Sequence, residues 1–571
     1  MFIFFGDFIF KTMRKSFLFT ILFVFCGSLW AQTQLFYNQM GYKPEQQKII
    51  LANKARFDSI YVYNSKGSLQ GVFPLAPKAF WDAARDSVRA IDLSAIKDTG
   101  TYRLTFPMSS QSYHLRISNN PLQTVTDAAL KFFYYQRAGE ALPEKYAGKW
   151  HRPAGHPDTL VYMHPSSGEK GTMSSAKGWY DAGDYGKYIV NSGITTYTLL
   201  TLWEEQSEKF KKRRWNIPES TLPDLLAETR YNLDWMLTMQ SKDGGVYHKM
   251  TALNFCGSIM PHEDTDKRYV IGKSTTAAMN FAAVMAYASR VYAPFDAKYS
   301  QTMLAAAKKA YDWGLENPRI IYHQPGDVQT GQYSDQDPKD EIFWASAEML
   351  LATQDTKGPY MKQLQLLQAP IRIPSWQMVN ALGYYTMARH PKIFGSLGAR
   401  AQELIVAKAD ELVKVSQQNP YGISLDNGDF VWGSNSVVAN FAIAMVQAHR
   451  IKPKAEYLQY AHRHLDYLLG QNPLGLSYVT GMGFRSVLNP HHRPSEADGI
   501  DAPVPGMLAG GPHDGGHDIS EPHNPVPWQC KEYRVIGFPA MSFIDHRCSY
   551  ATNEVAINWN APLGYLSASL E

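Results

Sequence analysis

Gly178-Trp179-Tyr180-Asp181-Ala182-Gly183-Asp184-Tyr185-Gly186-Lys187-Tyr188 sets two carboxylates three residues apart, with only alanine and glycine between them and aromatic rings on both sides. Gly183 gives the backbone angles closed to other residues, so the two acids can be drawn together. Carboxylates held close repel when both are ionised, and their titrations couple. Such a pair suits a base that takes a proton from a water held between the two acids. The neighbouring indole and phenol rings offer flat apolar surfaces of the kind on which sugar rings stack. Read for structure alone, the same stretch is a turn leading into a helix with Asp184 as its N-cap.

Outward from this stretch the pattern is helical. Apolar residues recur at three- and four-residue spacing over 127–137, 187–205, 222–240, 274–292, 301–316, 340–353, 375–388, 399–415, 435–450, 455–469 and 553–569. No strand-rich segment is expected among these eleven helices. Thr221 ahead of Pro223 and Asp224, and Pro374 ahead of Ser375, are helix-start signals. So many paired helices in one domain imply a helical toroid or a superhelical stack, and periodicity does not choose between them. Upstream, residues 35–117 hold short alternating runs such as Ser59-Ile60-Tyr61-Val62-Tyr63, split by turns, which predicts a small β-sandwich. Ser118-Asn119-Asn120-Pro121 punctuates the chain after it. The domain layout read this way is a signal peptide over 1–31, a sandwich over 32–118 and a helical domain over 122–571.

The 571 residues are 45% hydrophobic and 13% aromatic, with 13 Trp and 34 Tyr, enough for a large core and for stacking surfaces. A net charge of +4 with scattered basic residues gives no nucleic-acid footprint, and Lys211-Lys212-Arg213-Arg214 reads as a solvated helix end. Arg14 and Lys15 precede an apolar run from Phe17 to Phe25 and then small residues near Ala31, the pattern of an export signal. No other stretch is long and apolar enough to span a membrane. Cys256, Cys530 and Cys548 follow the signal without CxxC spacing, so one bridge is possible and its pairing is open. Long loops at 242–273, 318–339 and 470–552 carry Gly, His and Asp and are placed to build a cleft.

Near the end of the chain, Phe543, Asp545, Tyr550, Glu554, Ala556 and Asn560-Ala561 stand at fixed spacing, with Asn553 a candidate N-cap for a helix opening at Glu554. This stretch resembles the second signature of glycoside hydrolase family 9. Ser477-Tyr478-Val479-Thr480-Gly481-Met482-Gly483-Phe484-Arg485, followed by Pro490-His491-His492-Arg493, is similar to the first signature. Asp181-Ala182-Gly183-Asp184 resembles the family's base motif, and Asn38-Gln39-Met40-Gly41-Tyr42-Lys43-Pro44 the opening of the immunoglobulin-like domain that precedes many such enzymes.

The resemblance implies an (α/α)6 toroid behind an immunoglobulin-like sandwich, and an exported, inverting endo-β-1,4-glucanase of cellulase type. Asp184 matches the base, Asp181 its helper and Glu554 the general acid, which needs a raised pKa. His491, Arg493 and, less directly, His248 match sugar contacts, while Trp432 and Tyr550 match aromatic platforms. Asp340 and Glu341 resemble a calcium pair, and hard oxygen ligands suit that ion. No organic cofactor is implied. Relatives often hold a structural zinc before the base motif, yet the equivalent positions here are Ala138 and Gly155, and His151, His156 and His164 alone make a poor zinc set. The expected partner is a β-glucan, with no nucleic acid and no membrane span, and the protein is expected to be a monomer. Other readings on the same residues are an exo-acting glucanase or β-glucosidase, with loops 149–173 and 494–532 closing one end of the cleft, and a non-catalytic glycan-binding protein. A polysaccharide lyase would want a Tyr, His or Lys base and uronate-binding cations.

Overall fold

The computed structural model of the protein describes residues 33–515 and 537–571. The export-signal segment, Cys530 and much of the 494–532 loop lie outside those residues. Cys548 is disulfide-bonded and Cys256 is a free thiol.

The N-terminal part folds as two four-stranded sheets. The strands are β1 Gln34–Phe36, β2 Ile49–Asn53, β3 Ser59–Tyr63, β4 Leu69–Pro74, β5 Ala79–Trp81, β6 Asp86–Asp92, β7 Gly100–Thr105 and β8 Ser112–Ile117. One sheet runs β1-β2-β6-β5, the other β4-β3-β7-β8, and all their pairings are antiparallel. Alternation dictates the core: in β3, Ile60 and Val62 are buried while Ser59, Tyr61 and Tyr63 are not. Ile50, Ile91, Leu104, Leu115 and Ile117 complete the filling. The Asn38–Pro44 stretch seats this sandwich on the helices. Asn38 Nδ2 donates to Asp466 Oδ1 at 2.8 Å. Gly41, at φ +102°, lies where a Cβ would strike the Arg116 carbonyl at 2.5 Å. Trp81 packs against Tyr421, 5.1 Å between ring centres.

Among the described residues twelve longer helices follow: α1 Gln123–Tyr135, α2 Ile189–Phe210, α3 Asp224–Thr238, α4 Thr275–Tyr292, α5 Ala297–Glu316, α6 Lys339–Thr353, α7 Pro359–Leu366, α8 Asn380–Arg389, α9 Ser396–Gln418, α10 Ser434–Ile451, α11 Ala455–Leu468 and α12 Ile557–Leu570. They are of two kinds. In α4 all but one residue is buried, and in α12 all but two. In α9 only Gly398, Ala401, Ile405, Ala409, Leu412, Val413 and Ser416 are buried, a one-sided stripe. The all-round apolar helices are therefore covered on every side, and the striped ones pack over them. α2 touches α4, α4 touches α6, α6 touches α8, α10 touches α12, and α12 touches α2. The N-terminal ends of these helices gather: Ile557 N donates to the Asp181 carbonyl at 2.8 Å, and Val379 N to Asp340 Oδ2 at 2.7 Å.

Three local expectations are corrected. α7 was not foreseen, because eight residues with only Tyr360 and Leu364 buried give little periodic signal. A five-stranded sheet does lie among the helices: β9 Val161–Met163, β10 Thr172–Met173, β11 Lys187–Tyr188, β12 Tyr247–Thr251 and β13 Tyr269–Lys273, in the order β10-β9-β13-β12-β11. Strands of two to five residues inside long loops carry too few alternations to stand out. Third, Asn553 ends a short helix, Tyr550–Asn553, rather than capping the next one, and α12 begins only at Ile557.

Candidate active site

Two backbone arrangements bring the distant acids together. The first is the loop 178–186. Gly178, at φ +82°, lies against Trp235, where a Cβ would come within 2.7 Å of the ring. At Gly183 a Cβ would meet the His491 carbonyl oxygen at 2.1 Å, so only glycine admits the strand that carries His491. Arg493 N and Nη1 both donate to the Gly183 carbonyl at 3.0 Å. The second arrangement is extended chain at Glu554, φ −67° and ψ 158°, which bridges His491 in parallel; Gly510 N donates to its carbonyl at 2.8 Å. The acid thus sits on a strand-like segment, held from both sides.

Asp181 is fully buried. Asn191 Nδ2 donates to both its carboxylate oxygens, at 3.0 and 2.8 Å, and the Tyr333 hydroxyl donates to Oδ2 at 2.9 Å. Asp184 Oδ2 accepts from Gly186 N at 2.8 Å and from the Tyr188 hydroxyl at 3.4 Å. Burial first, then the field of Asp184, pushes Asp181 well above the usual carboxylate range, against its hydrogen bonds. Burial, then Asp184, drives Glu554 up in the same direction, with Asp181 adding to it and Arg493 opposing. Three carboxyl groups feel one another, and the upward shift of Glu554 favours its protonated form, the state a proton donor needs.

The other expected residues fall in different places. His491 Nδ1 carries the ring proton and donates it to the Arg547 carbonyl at 2.7 Å. Burial and Arg493 lower its pKa, leaving a neutral ring with Nε2 as acceptor. Tyr550 stands 6.1 Å from the His491 ring and 5.2 Å from the Trp432 ring, and Trp432 is 41% exposed, so it is not a core tryptophan. Arg493 spends its guanidinium on the Gly183 and Cys256 carbonyls, as a clamp on the loop. His248 is a correction. It is fully buried, stacked 4.0 Å from Tyr322, with its nitrogens taken by Ser274 Oγ at 2.9 Å and the Gln332 carbonyl at 3.1 Å, which leaves none for a sugar. Asp545 binds the Leu488 and Asn489 amides at 2.8 Å and fixes the turn before His491.

Asn191, Tyr333 and Trp376 belong to the site and went unnoticed in the sequence. Trp376 meets Tyr333 edge-on at 5.2 Å and adds a second aromatic pair to that formed by Trp432 and Tyr550. The available signal was Tyr333 inside the Asp-rich loop 318–339, and Asn191, a polar residue on the buried face of α2.

Asp335, Asp340 and Glu341 bring three carboxylate oxygens within 4.8 Å of one another. Both oxygens of fully buried Glu341, and Asp335 Oδ2, lack a hydrogen-bond partner, an arrangement that fits a hard cation. The zinc locus does not fit its metal. Ala138 packs with Tyr180, Tyr185 and Cys256, and a Cβ at Gly155 would strike Pro261 at 2.4 Å. His156 gives its nitrogens to the Tyr180 hydroxyl at 2.8 Å and Asp264 at 3.2 Å. His164 is held by Ser166 and Asp327, and His151 is exposed. Among the described residues no helix is long and apolar enough to cross a membrane.

Comparison with known proteins agrees with this architecture. Residues 123–567 match glycosyl hydrolase family 9 and residues 31–111 the cellulase N-terminal ig-like domain. A xyloglucan-specific endo-beta-1,4-glucanase of Bacteroides ovatus is 38% identical over 94% of this chain and 93% of its own length. Endoglucanase D of Acetivibrio thermocellus is 32% identical over 93% of this chain and 82% of its own. The solved structure of a Bacteroides ovatus family 9 protein superposes with a TM-score of 0.85 at 36% identity, over 94% of this chain and 98% of that one. The chain therefore belongs to glycosyl hydrolase family 9, behind a cellulase-type immunoglobulin-like domain, and is a glycoside hydrolase of the endoglucanase class.

Proposed function

We propose that this protein cleaves internal β-1,4 bonds of a β-glucan with inversion, Asp184 being the base, Asp181 its helper and Glu554 the general acid. The observation that carries the reading is the convergence of distant segments: the Glu554 strand bridges His491, whose carbonyl lies against Gly183 between Asp181 and Asp184. Glu554 gives its proton to the leaving oxygen as the bond breaks. Asp184 takes a proton from a water positioned with Asp181, and that water attacks the opposite face of the sugar. Inversion of this kind wants roughly 6.5–9.5 Å between acid and base carboxyl groups, to admit the water. Neutral His491 accepts a hydroxyl hydrogen bond, and Trp432 with Tyr550 stacks a sugar face; Arg493 acts through the loop it clamps.

The succession of helix contacts supports an (α/α)6 ring, with the sandwich over 32–118 and the ring over 122–571. Asp340 and Glu341, joined by Asp335, would hold calcium, a structural ion that ties α6 to the loop carrying Tyr333. The protein is exported through its N-terminal segment and works as a monomer. Its glucan is xyloglucan, the substrate for which the 38% identical Bacteroides ovatus relative is named. The test is hydrolysis of xyloglucan, mixed-linkage glucan and a soluble cellulose by the protein and by Asp184→Ala, with product sizes followed in time. Mixed internal products from xyloglucan, lost in the variant by about 10^3-fold, are expected. A single small product released from chain ends supports the exo-acting alternative, and full activity in the variant ends the base assignment.

A further inference from the structure

Lys249 lies behind the Asp181–Asp184 loop and has no part in the mechanism above. It is fully buried and is the register partner of Tyr188 across β11 and β12. Its ammonium donates to Gly331 O at 2.7 Å, Gln324 Oε1 at 2.9 Å, Thr330 Oγ1 at 3.1 Å and Thr330 O at 3.3 Å. All four acceptors are neutral. The Tyr188 and Tyr322 rings lie 5.7 and 5.6 Å from it. The same Tyr188 carries the hydroxyl that sits 3.4 Å from Asp184 Oδ2.

A buried cation without a carboxylate in contact is expensive, and here four acceptors have to hold it. What the amine adds is charge and a hold on the chain. The segment it grips, 324–331, runs directly into Tyr333, whose hydroxyl bonds Asp181. The titratable groups facing it are Asp184 and Tyr188 from the base loop, His248 from its own strand and Tyr322, two residues before the gripped segment. Burial pushes both tyrosines up and His248 down to about 3, so all three are neutral. Burial also lowers Lys249, to about 7, and Asp184 is the charge that opposes this.

We propose that Lys249 is a positioning residue for the base: its ammonium pins the 324–331 segment to β12 and is the countercharge that favours ionised Asp184. The proposal rests on Asp184 being the base. Its test is the pH profile of kcat/KM on a soluble β-glucan for Lys249→Met, with folding checked by circular dichroism and melting. Removing a cation makes a neighbouring carboxylate easier to protonate, so the acid limb should move to higher pH by about one unit, with kcat falling more than KM rises. Thr330→Val, which removes a neutral acceptor and no charge, should leave the limb in place. If Lys249→Met does not fold, Gln324→Glu decides: an anion set on the ammonium should move the limb the same way. A folded Lys249→Met, or failing that Gln324→Glu, with the wild-type acid limb overturns the proposal, as does an equal shift in Thr330→Val. An inactive Asp184→Ala alongside an unmoved limb defeats Lys249 alone, whereas an active Asp184→Ala defeats the base reading beneath it.

Discussion

Carboxyl groups gather near both ends of α2, and the two ends treat them differently. At the N-terminal end Asp181, Asp184 and Glu554 have mainly one another for charged company, with Arg493 the cation that opposes Glu554's shift. At the C-terminal end Glu204 and Glu205 of α2, and Glu348 of α6, meet arginines. Arg290 Nη1 lies 3.2 Å from Glu204 and Nη2 lies 2.7 Å from Glu348. Arg389 lies 3.2 Å from Glu204 and 3.7 Å from Glu205, and Arg450 lies 3.2 Å from Glu205. Burial acts on Glu204 too, but His390, Arg389 and Arg290 outweigh it and hold this carboxyl well below its ordinary range. At Glu348, deeper still, burial prevails and the pKa rises even with Arg290 in contact. The same type of side chain is shifted toward its protonated form at Glu554 and toward its anion at Glu204. Depth alone does not decide which; the sign of the nearest charges does, until burial is complete.

The sharpest way to break this contrast is at the acid. Glu554→Gln should lower kcat/KM on a soluble glucan by about 10^3-fold while melting higher than the parent at pH 7. The sign follows from the raised pKa: the unfolded chain ionises first, so this group's share of stability is full below its ordinary value of 4.5 and lost as pH rises. The gain in melting temperature should therefore shrink toward pH 4. At the far end Arg389→Met should do the reverse, costing about 3–5 kcal/mol of stability by stranding buried carboxylates, with little change in kcat at a temperature where the variant is folded. Because Glu204 lies low, the stability it brings is present above its ordinary 4.5 and lost as pH falls, and denaturant titrations from pH 7 to 4 should show that slope flattened in the variant. Between these extremes sits the third carboxyl cluster. Removing calcium with a chelator should lower the melting temperature by the equivalent of about 2.7 kcal/mol if the ion is at a hundred times its Kd, and calcium, not sodium, should restore it. The smallest effect is expected at the exposed platform: Trp432→Ala should reduce kcat/KM on long chains about fivefold, or about 1 kcal/mol, with the pH profile unchanged.

Much of this molecule is legible in its sequence. The eleven helices foreseen are long enough to repeat their apolar face several times, and the sandwich strands alternate cleanly. Asp181, Asp184 and Glu554 could be picked out because motif spacing survives where contacts cannot be seen. What stayed hidden is short or depends on other parts of the chain. Asn191 is one amide on a helix, and only the fold aims it at Asp181. His248 stands in a stretch rich in unusual residues, yet its neighbours Ser274 and Gln332 use up its nitrogens, which no local pattern reveals. The expected cap at Asn553 failed for a similar reason: its side chain is drawn away to the Asn489 carbonyl and Asp545.

The five-stranded sheet that sequence periodicity passed over has a bearing on how such an enzyme can change its diet. β11 leads out of the acid loop, and β12 and β13 flank the 252–268 loop that carries Phe255 and Cys256 up to Arg493. That rim is moored to a small sheet that lies between it and the long helices. Sequence can be inserted or exchanged beyond the ends of those strands while the helical scaffold and its far-end ion pairs stay untouched, so selectivity for a decorated or a plain polymer is free to drift without risk to the frame.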